Sequence, residues 1–212
     1  ISKKDSKMSI YQLKSQFQKL LRPVARLLVN LNITANMVTI FACILSIVMG
    51  GLLYNFPELK VLWLSLPVFL FLRMALNAID GIMAKEHNMI TPLGTMLNEI
   101  TDVISDTAIY LSFLSLPQIN PYTIIGISIL AIISEMTGVV AIQINSNRRY
   151  DGPMGKSDRA FFFSILAFVP GFGLTIPYLN LYLSLILMLL IITIINRFKK
   201  ALEQSKLYQM KK

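Results

Sequence analysis

Apolar and polar positions divide this chain into long hydrophobic runs separated by short polar breaks. A helix needs about 20 apolar residues to cross ~30 Å of hydrocarbon. Six runs approach that length, at 36–54, 59–84, 93–115, 121–145, 158–176 and 180–198. Asn32 to Thr39 lead into the first, where Thr34 or Asn36 is suited to cap the helix. Residues 9–30 follow a different pattern. Tyr11, Leu13, Phe17, Leu20, Leu21, Val24 and Leu27 recur at helical spacing, with Lys14, Lys19, Arg22 and Arg26 between them. That is the pattern of an amphipathic helix lying in the membrane interface, and Pro23 is expected to kink or break it. The reading is an all-α integral membrane protein: six transmembrane helices behind an N-terminal interfacial helix. It divides into a tail and juxtamembrane helix at 1–30, a six-span unit at 31–200 and a basic tail at 201–212.

Composition agrees. The chain is 55% hydrophobic and only 15% charged, outside ordinary globular usage. Its net charge of +9 comes in clusters, as in flanks that touch anionic lipid, and does not point to nucleic acid. Lys and Arg crowd the N-terminal segment, the loop at 146–159 and the tail from Arg197, with Lys85 in the loop near 85, and are absent from 55–58, 116–121 and 177–179. The positive-inside rule therefore puts both termini in the cytoplasm. The first long apolar run starts only near residue 36 and further spans follow, so no cleavable signal peptide is expected. Cys43 is the single cysteine and sits in an apolar run, which leaves no disulfide within one chain.

Some polar residues fall inside these runs, where a carboxylate is costly and its default reading is functional. Asn77 and Asp80 are three apart; Asn98, Asp102 and Asp106 are four apart. On helices each set shares one face. Facing sets would form a cage of hard oxygen donors suited to Mg²⁺ or Mn²⁺. A second group, Gly-Lys-Ser-Asp-Arg at 155–159, sets two cations and a hydroxyl at the start of a helix, which suits an anion. Glu135 and Arg73 are further intramembrane charges, and Glu135 either lines a substrate pocket or pairs with Arg73.

The stretch Asn77-Ala-Ile-Asp80-Gly81-Ile-Met-Ala84-Lys85, followed by Gly94, Asn98 and Asp102, resembles the CDP-alcohol phosphotransferase (CDP-alcohol phosphatidyltransferase) signature, D-x2-D-G-x2-A-R-x8-G-x3-D-x3-D. The spacing matches throughout. Asn77, Lys85 and Asn98 replace Asp, Arg and Asp. The chain is similar to a bacterial subgroup in which Asn98-Glu99 precedes Asp102 and Asp106, with Gly-Lys-Ser-Asp-Arg downstream. The resemblance covers about 30–200.

It implies a phosphatidyl transfer from CDP-diacylglycerol to a polar alcohol, with release of CMP, by a homodimer in the inner membrane. Asp102 would be the base. The Mg²⁺ or Mn²⁺ ligands would come from Asn77, Asp80, Asn98, Glu99, Asp102 and Asp106, with Glu99 and Asp106 making up for the two lost carboxylates. The nucleotide would lie among Asn36, Thr39, Gly81, Ala84, Lys85 and Gly94. Lys156, Ser157, Arg159 and Glu135 would serve donor phosphates or the acceptor. Two other readings remain: a catalytically silent lipid- or nucleotide-binding paralogue, and a cation-binding transporter. The transporter predicts inverted repeats and broken helices, and the sequence has neither.

Overall fold

The computed structural model describes residues 10–175 and 177–210, with side chains from residue 16 onward. Expectations for residues 1–9 and 211–212 lie outside the described residues. Among these it is all-helical: α1 (Ile10–Asn30), α2 (Ala35–Asn55), α3 (Lys60–Glu86), α4 (Pro92–Ser112), α5 (Pro121–Val140), α6 (Lys156–Phe172) and α7 (Leu179–Gln209). Short 3₁₀ turns extend α4 and α5. By length and composition α2, α3, α5 with its 3₁₀ turn, and α7 are each able to cross a membrane. α4 carries Glu99, Asp102 and Asp106, and α6 has 17 residues.

Local signals set the helix starts. The Thr34 hydroxyl accepts the Met37 N–H at 3.3 Å, and the Thr91 hydroxyl accepts the Gly94 N–H at 2.9 Å. Asp158 accepts the Gly155 N–H at 2.9 Å at the head of α6. Pro23 does not break α1, which runs unbroken through it. The ring is exposed, and the helix is held from its other side, where Ala25, Leu21 and Leu28 pack with Ile79, Ile82 and Met83 of α3. Leu20, Val24, Leu27 and Leu31 form a stripe that faces away from the protein.

Helix association in lipid gains little from expelling water, so close packing and polar contacts carry more of the load. α2 packs on α3 and α4, α3 on α6, α4 on α5, and α5 on α7. The α2–α4 contact is a backbone contact: a Cβ on Gly50 would sit 2.4 Å from the Ala108 carbonyl oxygen. The core at one end is aromatic, with Trp63, Tyr110, Phe113 and Phe163 stacked or edge-on at 4.0–5.2 Å.

α7 runs on past residue 200 to Gln209, so the first part of the basic tail continues the last helix. There the Gln204 side-chain oxygen accepts from Ser146 Oγ at 2.9 Å, Asn147 N at 3.1 Å and Arg149 Nη1 at 3.0 Å. The loop between α5 and α6 is thereby tied to α7. Farther along the same loop, the Met154 N–H donates to Thr193 Oγ1 at 2.9 Å.

Gly50→Val should separate α2 from α4 and destabilise the fold by ~1–3 kcal/mol, the usual range for overpacking. A lowered Tm of the detergent-solubilised protein, with helix content unchanged, is the expected result.

Candidate active site

A cleft of about 340 Å³ opens between the N-terminal end of α2, the C-terminal half of α3 and the start of α4. Asn36, Thr39, Gly81, Ala84, Lys85 and Gly94 all line it, as do Asn77, Asp80, Asn98 and Glu99. Residues far apart in sequence thus meet on one wall. Close approach at Gly94 closes the α2–α4 side, since a Cβ there would lie 2.5 Å from Asn36 Oδ1, while a Cβ on Gly81 would meet nothing within 4 Å. Lys85 is the single cation among the lining residues. Thr91, the N-cap of α4, and Thr95, whose hydroxyl donates to the Thr91 carbonyl at 3.2 Å, also line the cleft and were not anticipated from sequence.

The polar groups are held in fixed positions. The Thr39 hydroxyl donates to Asp80 Oδ2 at 2.7 Å. Asn77 Nδ2 donates to Asp102 Oδ1 at 3.2 Å. The Lys156 ammonium pairs with that same oxygen, and Arg73 Nη2 lies 3.7 Å from it. Asp102 therefore sits just beneath the cleft, bridged to α3 and α6.

One turn deeper the charges form a closed network. Asp106 Oδ1 pairs with Arg73 Nη1 at 2.5 Å, and Oδ2 with Arg159 Nη2 at 2.8 Å and the Tyr110 hydroxyl at 3.1 Å. Arg159 also donates to Glu135 at 3.1 Å, and Arg197 Nη2 is 3.5 Å from Glu135. Arg148 reaches Glu99 at 2.6 Å and Glu135 at 3.4 Å. Burial works against the charge on Arg148, but the Tyr150 hydroxyl, Glu99 and Glu135 outweigh it and keep the pKa above the ordinary guanidinium value.

This changes several expectations. Both Asp106 oxygens are committed to arginines, so it does not join the cage of ligands. Glu99 lines the cleft but is paired with Arg148. Glu135 pairs with Arg148, Arg159 and Arg197, and Arg73 pairs instead with Asp102 and Asp106. Arg159 is 1% exposed, and its donors are spent on protein acceptors, so it presents no free charge to a phosphate. Ser157 is exposed. Among the described residues no group of three or more His, Cys, Asp and Glu converges to hold a metal. Apart from Glu99, held by Arg148, what faces the cleft is the Asp80 carboxylate flanked by the amides of Asn77 and Asn98. That donor set suits one hard cation completed by water, not a cage of four carboxylates. Arg148 and Arg197 were read in sequence as flanking charge. Tyr110 gave one usable signal, its position four residues after Asp106.

The family model described as CDP-alcohol phosphatidyltransferase matches residues 32–200. The inner membrane protein YnbA of Escherichia coli (strain K12) is 44% identical over 199 residues, covering 93% of this chain and 98% of that protein. Two structures of the Mycobacterium tuberculosis phosphatidylinositol phosphate synthase PgsA1 share the fold. The one with CDP-DAG bound has a TM-score of 0.71 at 19% identity, covering 86% of this chain and 94% of that one. The one in complex with manganese and citrate has a TM-score of 0.71 at 20% identity, covering 85% and 88%.

Asp106→Ala leaves Arg73 and Arg159 buried without their shared partner. It should cost ~3–5 kcal/mol, as expected when one member of a buried ion pair is removed. Glu99→Gln, nearer the opening, should cost much less. Comparing the two variants' thermal unfolding in detergent checks the ranking.

Proposed function

The chain belongs to the CDP-alcohol phosphatidyltransferase family, and on that premise we propose that it transfers a phosphatidyl group from CDP-diacylglycerol to a polar alcohol. The observation that carries this reading is the convergence of the signature residues from α3 and α4, with Asn36 and Thr39 of α2, on one cleft. A CDP-linked lipid offers that cleft a nucleotide and a diphosphate. Asn36, Thr39, Gly81, Ala84 and Gly94 supply small or hydrogen-bonding contacts to the nucleotide, and Lys85 faces the diphosphate.

In this mechanism Asp102 is the base. Its Oδ1 is held by Lys156 and Asn77, which leaves Oδ2 to take the proton of the acceptor hydroxyl. The acceptor oxygen then bonds to the phosphorus next to the lipid, and the bond from that phosphorus to CMP breaks. Asn77, Asp80 and Asn98, with Asp102 beside them, would hold a divalent ion, Mg²⁺ or Mn²⁺. When bound, the ion supplies positive charge against the diphosphate and the leaving CMP.

In the same reading all six helices from α2 to α7 cross the inner membrane, forming a transferase unit at 31–200. Both termini and the cleft face the cytoplasm, as the clustering of Lys and Arg supports. α1 lies at headgroup level, where its stripe of Leu20, Val24, Leu27 and Leu31 meets lipid. The assembly is a homodimer, as the family resemblance implies. Asn77 and Asn98 favour a second reading, a silent lipid-binding paralogue that holds the donor without turning it over.

The test is CMP release by the purified protein given CDP-diacylglycerol, pooled polar alcohols and Mg²⁺ or Mn²⁺. Release should stop in EDTA and fall ~10²–10⁴-fold in Asp102→Ala. Donor binding without release would establish the silent reading; no donor binding would return the chain to the cation-transport class.

A further inference from the structure

The corner of the site around Asp102 holds less negative charge than two divalent ions require. Only Asp80 and Asp102 remain as carboxylates among the four signature positions that resemble metal ligands, and Asp102 is already neutralised by an ammonium. We propose that this chain takes a single divalent ion at Asp80, and that Lys156, paired with Asp102 beneath the cleft, stands in place of a second. The inference rests on the transferase reading of the same cleft.

Three observations carry it. The first is lone-pair accounting at Asp102. A carboxylate oxygen has two acceptor directions. Oδ1 spends them on Lys156 Nζ and Asn77 Nδ2, with Arg73 at 3.7 Å. That leaves only Oδ2 for a further cation, and Oδ2 is the oxygen the mechanism assigns to the acceptor's proton.

The second is the amide at position 77. A carboxylate there would stand against Asp102 at hydrogen-bond distance, and two like charges so close need a cation between them. An amide N–H makes the same bridge with no ion at all. The substitution and the lysine therefore perform one task together, tying α3 to α4 and α6 where a metal would otherwise do so.

The third is that Lys156 is built into place. It begins α6, whose preceding Gly155 N–H is capped by Asp158 at 2.9 Å. The adjoining Met154 is fully buried and hydrogen-bonded to Thr193 of α7. The Lys156 side chain is only 29% exposed. A surface lysine on a free loop would have none of these restraints.

Charge decides the count. With one lysine already on Asp102, a second divalent ion would bring a large excess of positive charge into a partly desolvated corner, where repulsion at a few ångströms is strong.

Mn²⁺ alone, titrated into the full-length protein in detergent with free ion read by electron paramagnetic resonance, tests this without turnover. The wild type should bind one Mn²⁺ per chain. Lys156→Gln should bind Mn²⁺ about ten-fold more tightly, since a neighbouring positive charge is gone. Lys156→Arg, which keeps the charge, should bind one ion with wild-type affinity and serves as the control for folding. Two ions on the wild type would overturn the proposal, as would unchanged affinity in Lys156→Gln. Failure to bind any Mn²⁺ would overturn it too, while CMP release assayed separately with Mg²⁺ against an EDTA control would still judge the transferase reading.

Discussion

The structure depends on one carboxylate held between two guanidinium groups. Asp106 of α4 faces Arg73 of α3 and Arg159 of α6, and Tyr110 closes the remaining side. Three helices are fixed by a single pair of oxygens. Such an arrangement is expensive to desolvate, and its value lies in register. An apolar surface tolerates sliding of one helix along another, but a charge pair at this depth fits in one place only. Because α3 and α4 also carry cleft residues, the buried pair fixes the geometry of the cleft one turn above it.

Around that centre the charges are sorted by depth. Asn98 lines the cleft, Asp102 lies just beneath it, and Asp106 is buried. These three stand four residues apart, so a helix stacks them on one face. The same regular spacing serves three jobs as that face passes from open cleft to packed interior. Glu99 and Glu135 extend the network sideways through Arg148, Arg159 and Arg197, which joins α5 and α7 to the same framework.

Sequence exposed the apolar runs and the spacing of the signature, and both describe this structure closely. All six residues expected around the nucleotide line the cleft, an expectation that came from the resemblance, since they stand on three different helices. Partners across helices were not legible. Periodicity tells which residues share a face, not which helix comes opposite, so Asp106 and Glu99 read as spare ligands when arginines in fact cover them. Arg197 and Arg148 were hidden in the same way, since a positive charge at the end of an apolar run is the ordinary signature of a membrane flank. Pro23 was over-read, because the missing hydrogen bond falls on the exposed side of a helix already held by α3. The length of α7 was under-read because charge was taken as the end of the helix. No glycine or proline interrupts the chain after Pro177, so nothing stops the helix there.

That extra length gives the end of the chain a mechanical part in the site. Gln204 gathers three donors from the loop that leads to Lys156. The helix beyond residue 200 acts as a splint, bracing a loop whose other end brings Lys156 onto Asp102. Trimming the chain at the membrane boundary would remove only surface charge by the look of its composition, yet it would unfasten that brace. The C-terminal turns belong to the same packed framework, and any shortened or fused version of this protein has to keep Gln204 within reach of the loop.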